Sequence, residues 1–264
     1  MRFDSAPTID PDDPFGSDVL NKSELAKRLT DMFLSLEGGS VCLLEGKWGV
    51  GKTTFVKQWC NYLKNNNVPA IYFDAFEADY NESPFEAIAG AFIAASIDAG
   101  RDNNPTYKSF LDKAVVVGKA IGGVAANVGI KAMSAGLLCA SDFEDSTGIL
   151  KSLGEGAGDI SEESIKSFLQ NSVNNKKRFR ELKSALIEMP KILKPDGSSN
   201  PPGPMVIFID ELDRCKPDFS IGIIEVLKHF FRVDGLHFVL VANRSYLELS
   251  VDHKYGHGLA AQEY

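Results

Sequence analysis

The run GKWGVGKTT, Gly46 to Thr54, constrains this chain more than any other stretch. It places a glycine four residues ahead of Gly51-Lys52-Thr53. The preceding SVCLLE is apolar enough for a buried strand. In the segment that follows, Phe55, Val56, Trp59, Cys60 and Leu63 recur on one helical face. A strand that enters a glycine-rich bend and leaves as a helix directs backbone N–H groups at a phosphate chain. The helix N-terminus adds partial positive charge there. Such a unit predicts an α/β domain with a parallel sheet, because the bend must connect the carboxyl end of a strand to a crossover helix. Gly46, Lys47, Trp48, Gly49, Val50, Gly51, Lys52, Thr53 and Thr54 are the expected nucleotide contacts. Lys52 is expected at the β- and γ-phosphates, Thr53 on a magnesium ion and Thr54 at the α-phosphate.

A loop of this kind holds only half of a metal–nucleotide. The other half is expected from an Asp at the end of an apolar strand. MVIFID supplies Asp210, expected to hold Mg²⁺ through a water, and Glu211 follows as the expected general base for an attacking water. That glutamate favours hydrolysis over transfer to a small-molecule acceptor. Asp213 is either a carboxylate behind the metal ligands or a cap for the next helix. Arg214 pairs with Asp213 or reaches a neighbouring subunit. Asn243, at the end of HFVLVAN, is placed with Lys52 and Glu211 in the catalytic set as a γ-phosphate sensor. Asn is equally at home at a strand-to-helix turn. Arg244 is a further candidate for phosphate or acidic neighbours.

The rest of the pattern alternates strands and helices. Residues 1–17 read as an irregular lead, loose up to about Phe15. A helix is predicted over 22–36 and strands over 69–75 and 205–209. Further elements are a capped helix from Ser83, one long helix or two in series over about 160–194, a helix around 221–231, and a fourth strand at HFVLVAN. The division expected is a core split between 18–83 and 204–264, with a mostly helical insert over 84–203. Within the insert, Ala114 to Ala140 is rich in Ala and Gly. Lys119 and Lys131 keep its uncharged runs below the roughly 18 residues of a membrane span. A buried or interfacial helical hairpin is expected, offering self-association, a protein partner or peripheral membrane contact. The basic run NNKKRFREL reads as a solvated helix face balanced by Glu162, Glu163 and Glu181.

A formal net charge of −8 argues against a dedicated nucleic-acid binder. Cys42, Cys60, Cys139 and Cys215 show no metal-ligand spacing and are expected as free thiols. The acidic, Pro-containing N-terminus has no apolar signal region, so a cytoplasmic or membrane-peripheral location is expected.

GKWGVGKTTF, YFDAFEAD, FIDELDRCKP and KHFFRVDGLHFVLVANRSYL together resemble the KAP family of P-loop NTPases. FIDELDRCKP is the most specific of these. The resemblance covers residues 18–264 apart from the middle. It implies an ASCE-type three-layer core with about four parallel strands and a large helical insert. It also implies ATP and Mg²⁺ as ligands, with slow, switch-like hydrolysis, and links to bacterial defence against phage. Absence of an Asn-Lys-x-Asp guanine-reading motif favours ATP over GTP. The family continues beyond YGHGLAAQEY into more helices and a last strand. A truncated member or fragment is therefore expected, with the strand before the phosphate loop near an uncovered edge. A nucleotide-binding module without turnover and a membrane-surface module are the rival readings.

Overall fold

The structure is a computed structural model that describes residues 9–16, 18–81, 83–125, 162–194, 203–230 and 233–256. The elements run α1 (Lys22–Leu34), β1 (Ser40–Glu45), α2 (Lys52–Asn65), β2 (Ala70–Asp74), α3 (Pro84–Asp98), α4 (Pro105–Ala125), α5 (Glu162–Leu193), β3 (Met205–Asp210), α6 (Pro217–Lys228), β4 (Leu236–Ala242) and α7 (Arg244–Tyr255). A 3₁₀ turn, Leu212–Arg214, separates β3 from α6. The four strands form one all-parallel sheet in the order β1-β4-β3-β2. The strand leading into the phosphate loop and the strand ending at Asp210 are thus not neighbours, because β4 lies between them. Among the described residues β1 pairs on one side only, as the edge expectation had it.

Every residue of β3 and β4 is buried, whereas β1 is partly exposed along its length. Central strands of a parallel sheet are covered on both faces, so they read as continuous apolar runs. On one face Val206, Phe208, Val239 and Val241 meet Phe55, Val56, Trp59 and Leu63 of α2 and Ala26 and Phe33 of α1. Trp59 is the keystone of that layer. It stacks on Phe33 at 5.9 Å, meets Phe208 edge-on at 5.0 Å, and donates its indole N–H to Thr30 at 2.9 Å. A large aromatic buried with its polar atom satisfied contributes several kcal/mol by area, about 25 cal/mol per Å².

The described part of the lead is irregular but not loose. Phe15 meets Tyr62 edge-on at 6.1 Å, and Asn65 donates to the Pro11 carbonyl at 2.8 Å. α3 opens as its capping box predicts, with the Ser83 hydroxyl accepting from the Glu86 N–H. Helix α6 begins at Pro217 rather than near Ile221, because proline fits the first helical position and has no N–H to lose there.

The chain divides into two compact units, residues 1–109 with 185–264, and residues 110–184. The sheet and α3 belong to the first. That boundary lies inside the 84–203 segment read as insert. The described part of the second unit consists of the stretches of α4 and α5 within 110–184. Residues 126–140 of the predicted hairpin, Cys139 among them, lie outside the described residues. The basic run falls on α5. No helix among the described residues is long and apolar enough to cross a membrane.

Candidate functional site

Register brings the carboxyl ends of all four strands to one edge. Glu45 lies opposite Ala242, and Asp74 lies opposite Asp210. The segments leaving those positions are the phosphate loop, the turn to α7, the Asp-Glu-Leu-Asp-Arg run and the bend after β2. An open parallel sheet presents its ligand site at this edge.

The loop has the backbone its glycines permit. Gly49 and Gly51 adopt φ of 81° and 84°, and Gly51 is the N-cap of α2. Lys52 is the first helical residue. Its Nζ donates to the carbonyls of Gly46 at 2.6 Å and Lys47 at 3.2 Å, so the ammonium lies across the mouth of its own loop. Trp48 leaves the loop sideways. Its ring stacks on Tyr246 with centroids 4.4 Å apart, and its indole N–H donates to Asp213 at 2.7 Å.

Asp210 is 1% exposed. Its carboxylate accepts the Glu211 backbone N–H at 2.8 Å and the Tyr72 hydroxyl at 3.0 Å. Burial pushes its pKa up, the Thr53 hydroxyl, the Glu211 N–H and the Tyr72 hydroxyl pull it down, and Asp74 pushes it up again. The two expected metal ligands, Thr53 and Asp210, are therefore close enough to interact directly. Among the described residues no Lys or Arg forms an ion pair with Asp210. A buried carboxylate with donors but no counter-cation suits a cation delivered with the ligand. Neither does any group of three or more His, Cys, Asp and Glu among the described residues form a protein-only metal cage. The donor set itself, a Thr53 hydroxyl and the Asp210 carboxylate, is of the oxygen type that Mg²⁺ takes together with substrate phosphates.

Glu211 has a left-handed backbone, φ 56° and ψ 28°, unusual for a non-glycine residue. Such strain concentrates at functional positions. Burial raises its pKa, Arg214 opposes that, and Asp74, Asp210 and Asp213 add to it. Arg214 Nη1 lies 3.2 Å from Glu211 Oε2. The pairing of Arg214 with Asp213 is thus corrected, since the turn points the guanidinium back at the glutamate. Asp213 also does not cap α6, whose N-cap is Lys216 with no side-chain bond. Instead its Oδ2 accepts both the Trp48 indole and, at 3.0 Å, the Asn243 backbone N–H.

Asn243 is the N-cap of α7, its side-chain oxygen accepting from the Ser245 N–H at 3.2 Å. Arg244 lies along its own helix with Nε 2.8 Å from Glu248 Oε1.

Two residues of the site went unmarked in the sequence. Tyr72 is one; a tyrosine in a buried strand needs a partner for its hydroxyl, and that was the available signal. The other is Asp79, whose carboxylate accepts the Lys216 N–H at 3.0 Å, while Lys216 Nζ reaches the Asp79 carbonyl at 3.1 Å. This pair ties the bend after β2 to the segment behind the 3₁₀ turn. The neighbouring Cys215 thiol is pushed up to about 12 by burial, with Asp79, Asp74, Asp213 and Glu211 adding to the shift. It is a packing group, inert as a nucleophile. Cys42, Cys60 and Cys215 are free.

A separate groove of about 890 Å³ runs beside β2 and α3, past Ala70, Tyr72, Asp74, Gly90 and Ala94. No phosphate-loop residue lines it, so the chemistry is assigned to the strand ends and not to the groove.

A phosphate loop entering a helix, an Asp-Glu pair on a strand two positions away and a parallel sheet define a P-loop NTPase. The KAP family P-loop domain matches residues 22–264, and the chain belongs to that family. Comparison with curated proteins gives no match. Membership implies nucleotide binding at this edge.

Proposed function

We propose that this chain binds Mg²⁺–ATP and hydrolyses it slowly as a conformational switch. The observation that carries the reading is the convergence of Thr53, Asp210 and Glu211 at the mouth of the loop that holds Lys52. The backbone N–H groups of the loop and Lys52 would bind the phosphates, and Thr53 and Asp210 would hold the metal. When bound, Mg²⁺ supplies charge neutralisation for the phosphoryl oxygens. Glu211 accepts the proton of the attacking water, and Arg214 orients its carboxylate. Asn243, just after β4, would offer its amide nitrogen as a sensor of the γ-phosphate. Trp48 and Asp213 connect the loop to α7, which supports a switch. By kinship alone, the setting proposed is bacterial signalling or defence against phage.

Phosphate release from ATP, compared with the Glu211→Gln and Lys52→Ala variants, tests this. Glu211→Gln is expected to lower turnover by about 10²-fold or more while keeping ATP affinity. Lys52→Ala is expected to abolish binding. Turnover unchanged by Glu211→Gln would sink the hydrolytic reading. The engagement of Glu211 by Arg214 and of Lys52 by its own loop favours one alternative, a nucleotide sensor without turnover. Its mark is ATP affinity in the wild type with no phosphate release.

A further inference from the structure

Lys22 is the first residue of α1, far from the phosphate loop in sequence. Yet a Cβ built on Gly51 would lie 3.2 Å from Lys22 Nζ. The lysine therefore reaches the glycine at which the loop turns into α2. We infer that Lys22 is a second phosphate-binding lysine of this site, acting beside Lys52 on the polyphosphate of the nucleotide. The inference rests on the nucleotide-binding reading above.

Three features of the chain hold the ammonium there. Asn21 has φ 54°, a left-handed backbone that asparagine tolerates, and it bends the chain into α1. The Asp18 carboxylate accepts the Ser23 N–H at 2.7 Å and the Leu20 N–H at 3.3 Å, which pins the first turn. Ala26 and Phe33 of the same helix are buried against α2, which sets α1 beside the loop.

The electrostatics of the place call for an anion. Lys22 is half-buried, and among the described residues no carboxylate forms an ion pair with it. The acid in its own first turn, Glu24, pairs with Arg28 instead. The Lys22 ammonium sits at the N-cap of α2, by the positive end of that helix. A cation is unfavourable at such an end, and partial burial adds to the cost. Lys52 brings another positive charge to the same loop. A polyphosphate resting on the loop N–H groups offsets all of these at once. Gly51 is required for its positive φ, and a side chain there would press on the lysine.

The test measures dissociation constants of ATP, ADP and adenosine for the wild type, Lys22→Gln and Lys22→Arg, each at two salt concentrations. Melting curves report whether each variant is folded. Lys22→Gln is expected to weaken ATP and ADP by about tenfold, to leave adenosine unchanged, and to make the salt dependence of ADP affinity shallower. Lys22→Arg is expected to restore most of the loss. Unchanged ADP affinity in a folded Lys22→Gln overturns the inference. So does an equal loss for adenosine and ADP, which marks a purely structural lysine. If Lys22→Gln fails to fold, Lys22→Met takes its place in the same comparison: ADP weakened with adenosine unchanged supports the contact, and unchanged ADP affinity overturns it. A wild type that binds no nucleotide at all removes the proposed function itself, an outcome distinct from the loss of Lys22 alone.

Discussion

The indole N–H of Trp48 donates to Asp213 Oδ2 at 2.7 Å, and the same oxygen accepts the Asn243 backbone N–H at 3.0 Å. One carboxylate oxygen thereby joins the phosphate loop, the turn after β3 and the start of α7. The link predicts that nucleotide entering the loop is felt at α7. Trp48 is about half exposed, and Trp59, the other tryptophan, is buried. Mg²⁺–ATP is expected to change tryptophan emission in the wild type and not in Trp48→Phe. Asp213→Ala is expected to weaken ADP binding by about tenfold through a loosened loop, while Asp213→Asn, which keeps an acceptor, loses less. A titration in which Trp48→Phe keeps the full emission change refutes the link.

Tyr72 holds Asp210 by a hydroxyl at 3.0 Å. Burial raises the Asp210 pKa, and this bond opposes the rise. The Tyr72 hydroxyl is itself shifted upward, first by burial and then by Asp210, so it remains a donor across the working range. Tyr72→Phe is expected to raise the Asp210 pKa further. The acid limb of Mg²⁺–ADP affinity, followed from about pH 5 to pH 8, then moves to higher pH. Superimposable profiles for the two proteins contradict this role. Loss of a donor to a buried charge also costs about 1–3 kcal/mol of stability at neutral pH.

Two helical glycines should respond in opposite directions to the same substitution. A Cβ on Gly222 of α6 would lie 2.6 Å from Cγ of Pro84, at the start of α3. A Cβ on Gly90 of α3 meets nothing within 4 Å. Helix propensity favours alanine at both, by about 0.5–1 kcal/mol. Gly222→Ala is nonetheless expected to destabilise by about 1–3 kcal/mol, because it separates α3 from α6. Gly90→Ala is expected to stabilise. Urea unfolding of both variants tests the pair, and a stabilised Gly222→Ala rules out the tight contact.

His237 is buried in β4, with Ser40 Oγ 2.8 Å from its Nδ1 and Phe33 stacked at 5.1 Å. Among the described residues its buried Nε2 has no hydrogen-bond partner, and burial lowers its pKa below the ordinary 6.5. The unfolded chain therefore binds the proton more readily than the folded one. Stability from this residue is present above about pH 6.5 and declines as the pH falls through that value. Asp210 and Glu211 act in the opposite sense, since their raised pKa values favour protonation of the folded state as the pH falls. The difference between wild type and His237→Leu isolates the histidine. Wild type is expected to lose stability relative to the variant between about pH 7 and pH 5, and a constant difference excludes the histidine as the cause.

Much of the site was legible along the chain because the chemistry is local. The stretch from Gly46 to Thr54 needs its glycines and lysine at fixed spacing, and Asp210-Glu211 needs only the end of an apolar strand. The partners of Asp213 were not legible. Its indole donor lies 165 positions away, and its second donor is a backbone N–H, which carries no residue signature. Arg214 reaches Glu211 and not Asp213 because a 3₁₀ turn carries it back, a geometry its position in the run does not reveal. Asn243 fits a sensor or a strand-to-helix turn from its position alone, and its oxygen caps α7.

The class of fold, the phosphate loop and the acidic pair each depend on period, spacing and residue type within a few positions, so they are written along the chain. What surrounds them depends on how distant segments pack. The order β1-β4-β3-β2 places β4 between the loop strand and the acidic strand, and parallel register sets Asp74 beside Asp210. Packing of α1 on α2 carries Lys22 to Gly51. Such contacts depend on burying apolar faces against one another across long separations, and no local pattern encodes which polar groups that burial brings together.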